Sequence, residues 1–266
     1  MRLGRVTPAA SSAPRLSRWA GRAQLAKHEL ASVTAAILVG GLGTRLRSHI
    51  PDRPKALAAV GGCPFLSYQL DHLASVGIRR VVLCTGYLGD QIRSAFGPSY
   101  AGMRLDYSQE STPLDTGGAL RLALPLLSSA SVLAMNGDSF WEADVEAFWK
   151  RHTAHTSEAS ILVTSVSDIS RYGRVRLNRY SRIIGFDEKS AGRGSGWIST
   201  GVYFLSRRLI QRLPSGRPVS LEREVFPRLA QEGRLYGYRR RGRFLDIGTP
   251  ESYRQAAAFI RHQASR

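Results

Sequence analysis

The 266-residue chain predicts an α/β fold with a largely parallel sheet and helices on both faces. Three observations lead there. Residues 33–39 (VTAAILV) form a short run, apolar on both faces and bounded by glycine, as a buried parallel strand is. Segments of helical spacing alternate with such runs through the first half. The composition, 43% hydrophobic and 22% charged, is that of a globular chain long enough to bury a large core. No collagen, coiled-coil or solenoid period occurs, and no apolar run approaches the roughly 20 residues of a membrane helix.

Residues 1–32 stand apart as a basic leader. They carry Arg2, Arg5, Arg15, Arg18, Arg22 and Lys27 against one acid, Glu29, and are otherwise rich in Ala, Ser, Pro and Gly. Disorder is expected there, and a single domain over residues 33–266. After the first strand, Gly40-Gly41-Leu42-Gly43-Thr44-Arg45-Leu46 is a tight loop. Residues 64–76 have helical spacing at Leu66, Leu70, Leu73 and Val76, closed by Gly77. Strands follow at 79–84, 105–107 and 131–135, with helices at 91–96 and 116–127 between them. The fourth strand ends at Asn136-Gly137-Asp138. Ligands in such sheets bind beyond the carboxyl ends of the strands, so the glycine loop and Asp138 fall on one rim.

The second half reads as a smaller mixed lobe on the same sheet. Residues 160–166 and 197–205 are strands. Residues 172–177 and 183–186 form an antiparallel pair around a turn at 178–181. A helix over 221–231 is bent near Pro227, and 236–240 and 243–246 are extended. Thr249 caps a last helix with Pro250 in its first turn.

The glycine loop lets backbone N–H groups approach an anion, and Arg45 and Lys55 place positive charge beside it. The pattern is neither a dinucleotide fingerprint nor a Walker loop, since the third glycine, the ribose acid and GK[ST] are missing. The full string with the trailing Pro54-Lys55 resembles the GG-x-G-T-R-L…P-K signature of the sugar nucleotidyltransferases. Further matches follow in order: Thr85-Gly86-Tyr87; Glu110, Pro113, Thr116, Gly117, Gly118, Ala119; Asn136-Gly137-Asp138; Tyr172-Gly173; Glu188-Lys189; Thr200-Gly201-Val202-Tyr203; and Asp246 to Pro250. The resemblance covers about residues 34–259. It implies the nucleotide-diphospho-sugar transferase fold, a three-layer α/β/α sandwich with a mixed, mainly parallel central sheet.

It also implies a reaction: a sugar 1-phosphate attacks a nucleoside triphosphate and pyrophosphate leaves. Catalysis is then charge neutralisation and positioning of two polyanions. By the resemblance, Arg45, Lys55 and Lys189 are catalytic. Val39, Gly40, Gly41, Gly43, Thr44, Gly86, Glu110, Pro113, Thr116 and Gly117 bind the nucleotide. Gly173, Glu188, Thr200 and Gly201 bind the sugar. Asp138 and Asp246 hold Mg²⁺, the expected cofactor, which favours carboxylate and phosphate oxygens. Asp246 also precedes the last helix, where a negative charge suits the dipole. Within the family the resemblance is greatest to D-glycero-D-manno-heptose 1-phosphate guanylyltransferases, through Gly43 to Arg47, Asp115 to Ala119, Ser220-Leu221-Glu222 and Phe244 to Pro250. Glu110 could accept both N–H groups of a guanine edge. The runners-up are an N-acetylmuramate 1-phosphate uridylyltransferase or other hexose 1-phosphate nucleotidyltransferase, and a non-catalytic sugar-nucleotide sensor. A GDP-heptose product would feed a glycosyltransferase.

The net charge of +18 would ordinarily suggest nucleic acid as partner. However, only four of 38 basic residues are lysine, the arginines are scattered apart from Arg239, Arg240, Arg241 and Arg243, and no nucleic-acid motif accompanies them. The expected partners are therefore small molecules, NTP and sugar phosphate, with no membrane; an oligomer is compatible with the sequence. Cys63 and Cys84 form no metal or disulfide framework and are expected as buried thiols in a reducing cytoplasm. His49, His72, His152, His155 and His262 have no ligand spacing and are expected at the surface.

Overall fold

The structure is a computed structural model. It describes residues 29–41, 43, 46, 52–141, 144–155, 157–187 and 194–264, the last four by backbone alone. The strands are β1 (Thr34–Leu38), β2 (Ala59–Val60), β3 (Cys63–Pro64), β4 (Arg80–Thr85), β5 (Ser99–Tyr100), β6 (Met103–Gln109) and β7 (Ser131–Asn136). There follow β8 (Ser139–Trp141), β9 (Ala159–Val166), β10 (Arg174–Leu177), β11 (Ile183–Asp187), β12 (Gly196–Ser206), β13 (Leu235–Arg239) and β14 (Phe244–Asp246). The helices are α1 (Phe65–Ser75), α2 (Gly89–Phe96), α3 (Asp115–Ala123), α4 (Val145–Ala154), α5 (Arg207–Arg212), α6 (Phe226–Gln231) and α7 (Pro250–Ala264).

Eight strands make the main sheet in the order β13-β9-β12-β7-β1-β4-β6-β5. β1 pairs in parallel with β4 and β7, β4 with β6, and β13 with β9; β12 runs antiparallel between β7 and β9, as β5 does beside β6. The mixed, mainly parallel sheet is the one expected, and the second-half strands β9, β12 and β13 join it.

Strand alternation divides the core. Ala36, Val82 and Ala134 face α3, α5 and α6, whose Leu120, Leu209 and Phe226 pack there. Ala35, Ile37, Leu83 and Leu133 face α1, α2 and α4, which contribute Leu70, Ile92 and Phe148. The result is the three-layer α/β/α sandwich. Leu30, within the expected leader, lies in the second core together with Val33, so burial begins slightly before the expected strand. A third cluster joins Phe140, Leu245 and Ile247 to Ala256 of α7, outboard of the main sheet.

Local signals explain the ends of the elements. At the end of α1, Gly77 N–H donates to the Ala74 carbonyl and Ile78 N–H to that of Leu73, the closure expected of a C-terminal glycine. Thr249 caps α7 by accepting from the Ser252 N–H with its hydroxyl, at 3.3 Å. The bend near Pro227 is a π-helical segment, Leu221–Val225, running into α6.

Two surface expectations are corrected. His152 is buried, because α4 turns it under the sheet, where Ser131, Ser157 and Ser160 satisfy its ring. Cys63 is exposed, because it sits on the short β2–β3 hairpin; Cys84 is buried within β4, and burial pushes its thiol up to about 12. No helix among the described residues is long and apolar enough to cross a membrane.

Candidate active site

The carboxyl ends of β1, β4, β6 and β7 form one rim, and three cavities open along it. The first, about 170 Å³, is lined by Val39, Gly41, Gly43, Lys55, Asp138 and Gly248, among others. The second, about 270 Å³, is lined by Gly40, Cys84, Glu110, Pro113, Thr116 and Asp138, among others. The third, about 830 Å³, takes in Asp138, Arg171, Thr200, Gly201, Glu222 and Asp246, among others. Asp138 lines all three, so the cavities adjoin at this residue.

Glu110 sits at the end of β6 with its carboxylate wedged between two glycines. A Cβ on Gly40 or Gly86 would lie 2.9 Å from Glu110 Oε1, so only glycine allows this seat. The Leu114 N–H donates to Glu110 Oε2 at 3.1 Å and orients the group. Burial pushes this carboxyl above its ordinary range, with the Leu114 N–H opposing and the Asp115 charge adding to the rise. Gly86 therefore acts by close approach behind the cavity. Gly117 does likewise: its N–H donates to the Val219 carbonyl at 2.7 Å, which fixes the start of α3 and leaves that donor engaged.

Lys55 stands on a 3₁₀ turn, Lys55–Leu57, behind Pro54. Its Nζ donates to Asp138 Oδ2 at 2.8 Å, with the lysine side chain 13% exposed. Asp138 follows β7 in a turn that β1 braces, the Gly137 N–H donating to the Leu38 carbonyl at 2.9 Å. Asp246 reaches the same place by a separate route. β14 pairs antiparallel with β8, Asp246 opposite Ser139, and the Ile247 N–H donates to the Asp138 carbonyl at 2.9 Å. Burial, and after it the Asp138 charge, push the Asp246 carboxyl above its usual range, while Lys55, the Gly248 N–H and Arg171 oppose this.

Thr200 and Gly201 line the third cavity, but the Thr200 hydroxyl donates to the Leu162 carbonyl at 3.0 Å and is engaged within the sheet. Gly173 is a buried turn residue, its N–H on the Ile169 carbonyl; its neighbours Arg171 and Tyr172 are what line the cavity. Thr44, Arg45, Glu188 and Lys189, named from the sequence, lie outside the described residues. Sequence reasoning missed Gln69, Arg171 and Arg223, and gave no role to Tyr203, which ends the matched string Thr200-Gly201-Val202-Tyr203. Gln69 is fully buried on α1, and its Nε2 donates to the carbonyls of Asn136 and Ser139 at 2.8 and 2.7 Å, holding the turn that carries Asp138. Its signal was a polar residue on the apolar stripe of Leu66, Leu70 and Leu73.

The family described as nucleotidyl transferase matches over residues 34–263. The chain belongs to the nucleotidyl transferase family. This nucleotidyltransferase is 34% identical over 228 residues to a D-glycero-alpha-D-manno-heptose 1-phosphate guanylyltransferase of Aneurinibacillus thermoaerophilus, covering 86% of this chain and 98% of that one. It is also 34% identical over 229 residues to a mannose-1-phosphate guanylyltransferase of Mycobacterium tuberculosis, but covers only 64% of that protein against 85% of its own length. The crystal structure of HddC from Yersinia pseudotuberculosis, complexed with GMP-PN, superposes with a TM-score of 0.77 at 30% identity, over 86% of this chain and 99% of that one.

Proposed function

We propose that this nucleotidyltransferase is a guanylyltransferase that joins GTP to D-glycero-D-manno-heptose 1-phosphate, giving GDP-heptose and pyrophosphate. The observation that carries the reading is the meeting of three cavities at Asp138. The cavity beside Glu110 takes the base, because a carboxylate matches the two N–H donors of guanine. The glycine loop and Lys55 take the phosphates. The third cavity takes the sugar. The near-complete coverage of the heptose relative, against 64% of the mannose relative, favours the heptose. Equal identity to the mannose enzyme makes mannose 1-phosphate the second candidate.

In this reading a sugar phosphate oxygen attacks the α-phosphorus, a new P–O bond forms, and the bond to the β-phosphate oxygen breaks in line, releasing pyrophosphate. The attacking phosphate is already an anion, so no side-chain nucleophile or base is required. Lys55 neutralises charge on the reacting phosphates, and its bond to Asp138 fixes its head group. Arg45 and Lys189 are proposed for the triphosphate and the incoming sugar phosphate.

The residues fit Mg²⁺. No group of three or more His, Cys, Asp or Glu converges among the described residues. A magnesium site, however, needs only one or two carboxylates together with substrate phosphates. Asp138 and Asp246 supply two, and their mutual repulsion is what a cation would relieve. Bound there, the ion would supply charge stabilisation to the phosphates.

The test is pyrophosphate release with Mg²⁺ and a matrix of nucleoside triphosphates against heptose, mannose, glucose and N-acetylmuramate 1-phosphates. Turnover restricted to GTP with heptose 1-phosphate is expected. Turnover with UTP and N-acetylmuramate 1-phosphate would replace the substrates. Silence across the matrix from folded protein would favour the sensor.

A further inference from the structure

Glu222 holds an unusual position. It lies in the π-helical segment Leu221–Val225, a local geometry that recurs at functional sites. Its carboxylate accepts three hydroxyl donors: Thr116 Oγ1 at 2.7 Å, the Tyr203 phenol at 3.0 Å and Ser220 Oγ at 3.3 Å. No cation pairs with it among the described residues; the neighbouring Arg223 pairs with Asp115 instead.

Two of those donors come from different elements of the rim, and one of them stands where its two halves meet. Thr116 lines both the nucleoside cavity and the sugar cavity. Tyr203 is a buried residue of β12, two positions beyond Gly201, and lines the sugar cavity. The connection is reinforced through the backbone. The Leu221 N–H donates to Thr116 Oγ1 at 2.9 Å, the Val219 N–H to the Leu114 carbonyl at 3.0 Å, and the Gly118 N–H to the Val219 carbonyl at 3.2 Å. A half-buried carboxylate without a counter-cation carries a desolvation cost that an apolar residue would not. Three converging hydroxyls offset that cost only while both halves hold their geometry.

The structure assigns Glu222 as a positioning residue whose carboxylate couples the two halves of the site, so that filling the nucleoside cavity favours binding in the sugar cavity. The assignment rests on the nucleotidyl-transfer reading above. Nucleotide placed against Thr116 fixes its hydroxyl on Glu222, and Glu222 in turn fixes the phenol of Tyr203 and the strand that carries Gly201. By linkage the coupling is reciprocal: sugar phosphate tightens nucleotide by the same factor.

The experiment is calorimetric titration of the full chain. Heptose 1-phosphate is titrated with and without a saturating GTP analogue that has a non-cleavable α–β bridge, and the ratio of the two Kd values is read. In the parent protein the ratio is expected to be about fivefold or more, the usual scale of coupling between sites. In Tyr203→Phe and in Glu222→Ala it falls to about one, while each variant still binds the analogue. Tyr203→Phe keeps the ring in the core, so it reports even if the alanine variant folds poorly. A merely structural role would lower the melting temperature and both affinities without moving the ratio. A parent ratio of one, or variants that keep the parent ratio, would overturn the assignment alone. A parent that binds no nucleotide would overturn the functional reading beneath it.

Discussion

Asp138 combines two duties at one carboxylate. It lines all three cavities, and it accepts a hydrogen bond from Lys55, so its charge serves the lysine and would serve the proposed cation. Asp138→Asn keeps the shape and removes the charge. We expect kcat for pyrophosphate release to fall by about 100-fold or more, the scale seen when a preorganised electrostatic group is lost. The melting temperature should stay close to the parent's. A loss below about tenfold would remove Asp138 from the reaction centre. Gln69 tests the support beneath it. Gln69→Leu leaves the Asn136 and Ser139 carbonyls without their buried donor. Each unmet acceptor costs roughly 1–3 kcal/mol, so denaturant unfolding should show a loss of at least about 1 kcal/mol, with a lower kcat as the turn loosens. Unchanged stability would mean that water replaces the amide.

Elements were legible wherever hydrophobic period and punctuation agreed. The buried strands β1, β4 and β7, the helix α1 with its closing Gly77, and the Thr249 cap of α7 all lie within two residues of their expected limits. β8 was not legible, because three residues carry no period; it exists only through its pairing with β14, more than 100 positions away. That pairing brings Asp246 to Asp138, so the sequence could name both acids by resemblance but not show how they meet. α4 was passed over although Asp144 caps it, accepting from the Ala147 N–H at 2.9 Å. Its stripe of Val145, Phe148 and His152 is interrupted by polar residues. Gln69, Tyr203 and the bonds of Glu222 depend on partners found across the fold, which spacing does not encode. The β1–β7 junction makes its own prediction. A Cβ on Gly137 would overlap Val39 Cγ1 and stand 2.7 Å from the Leu38 carbonyl oxygen, so Gly137→Ala forces the two strand ends apart. We expect a loss of about 1–3 kcal/mol in urea unfolding and weaker nucleotide binding, since the loop that starts at Gly40 is carried by β1. Parent-like behaviour in both measurements would show that the junction is slack.

At the scale of the whole molecule, one pH-sensitive group lies outside the candidate site. His152 is buried beneath the β9–β13 edge, and burial lowers its ring to about 4 from the ordinary 6.5. The unfolded chain therefore takes up a proton on this ring as pH falls through 6.5, whereas the folded chain does so only near 4. Stability from this group is complete above pH 6.5, is lost progressively between 6.5 and 4, and changes no further below. Linkage sets the loss at about 2 kcal/mol at pH 5. Other groups titrate in the same range: Arg212 and Arg234 hold the Glu158 carboxyl below its ordinary value, against the opposing effect of burial, while burial raises those of Glu110 and Asp246. The variant must therefore be compared with the parent at each pH. His152→Gln retains polar contact with Ser131 and Ser160 but does not titrate. In urea unfolding at pH 7 and pH 5, the parent should lose about 2 kcal/mol more than the variant on acidification. Equal losses in the two proteins would mean that the ring protonates in place within the fold, and that the acid sensitivity of the fold is set by its carboxylates.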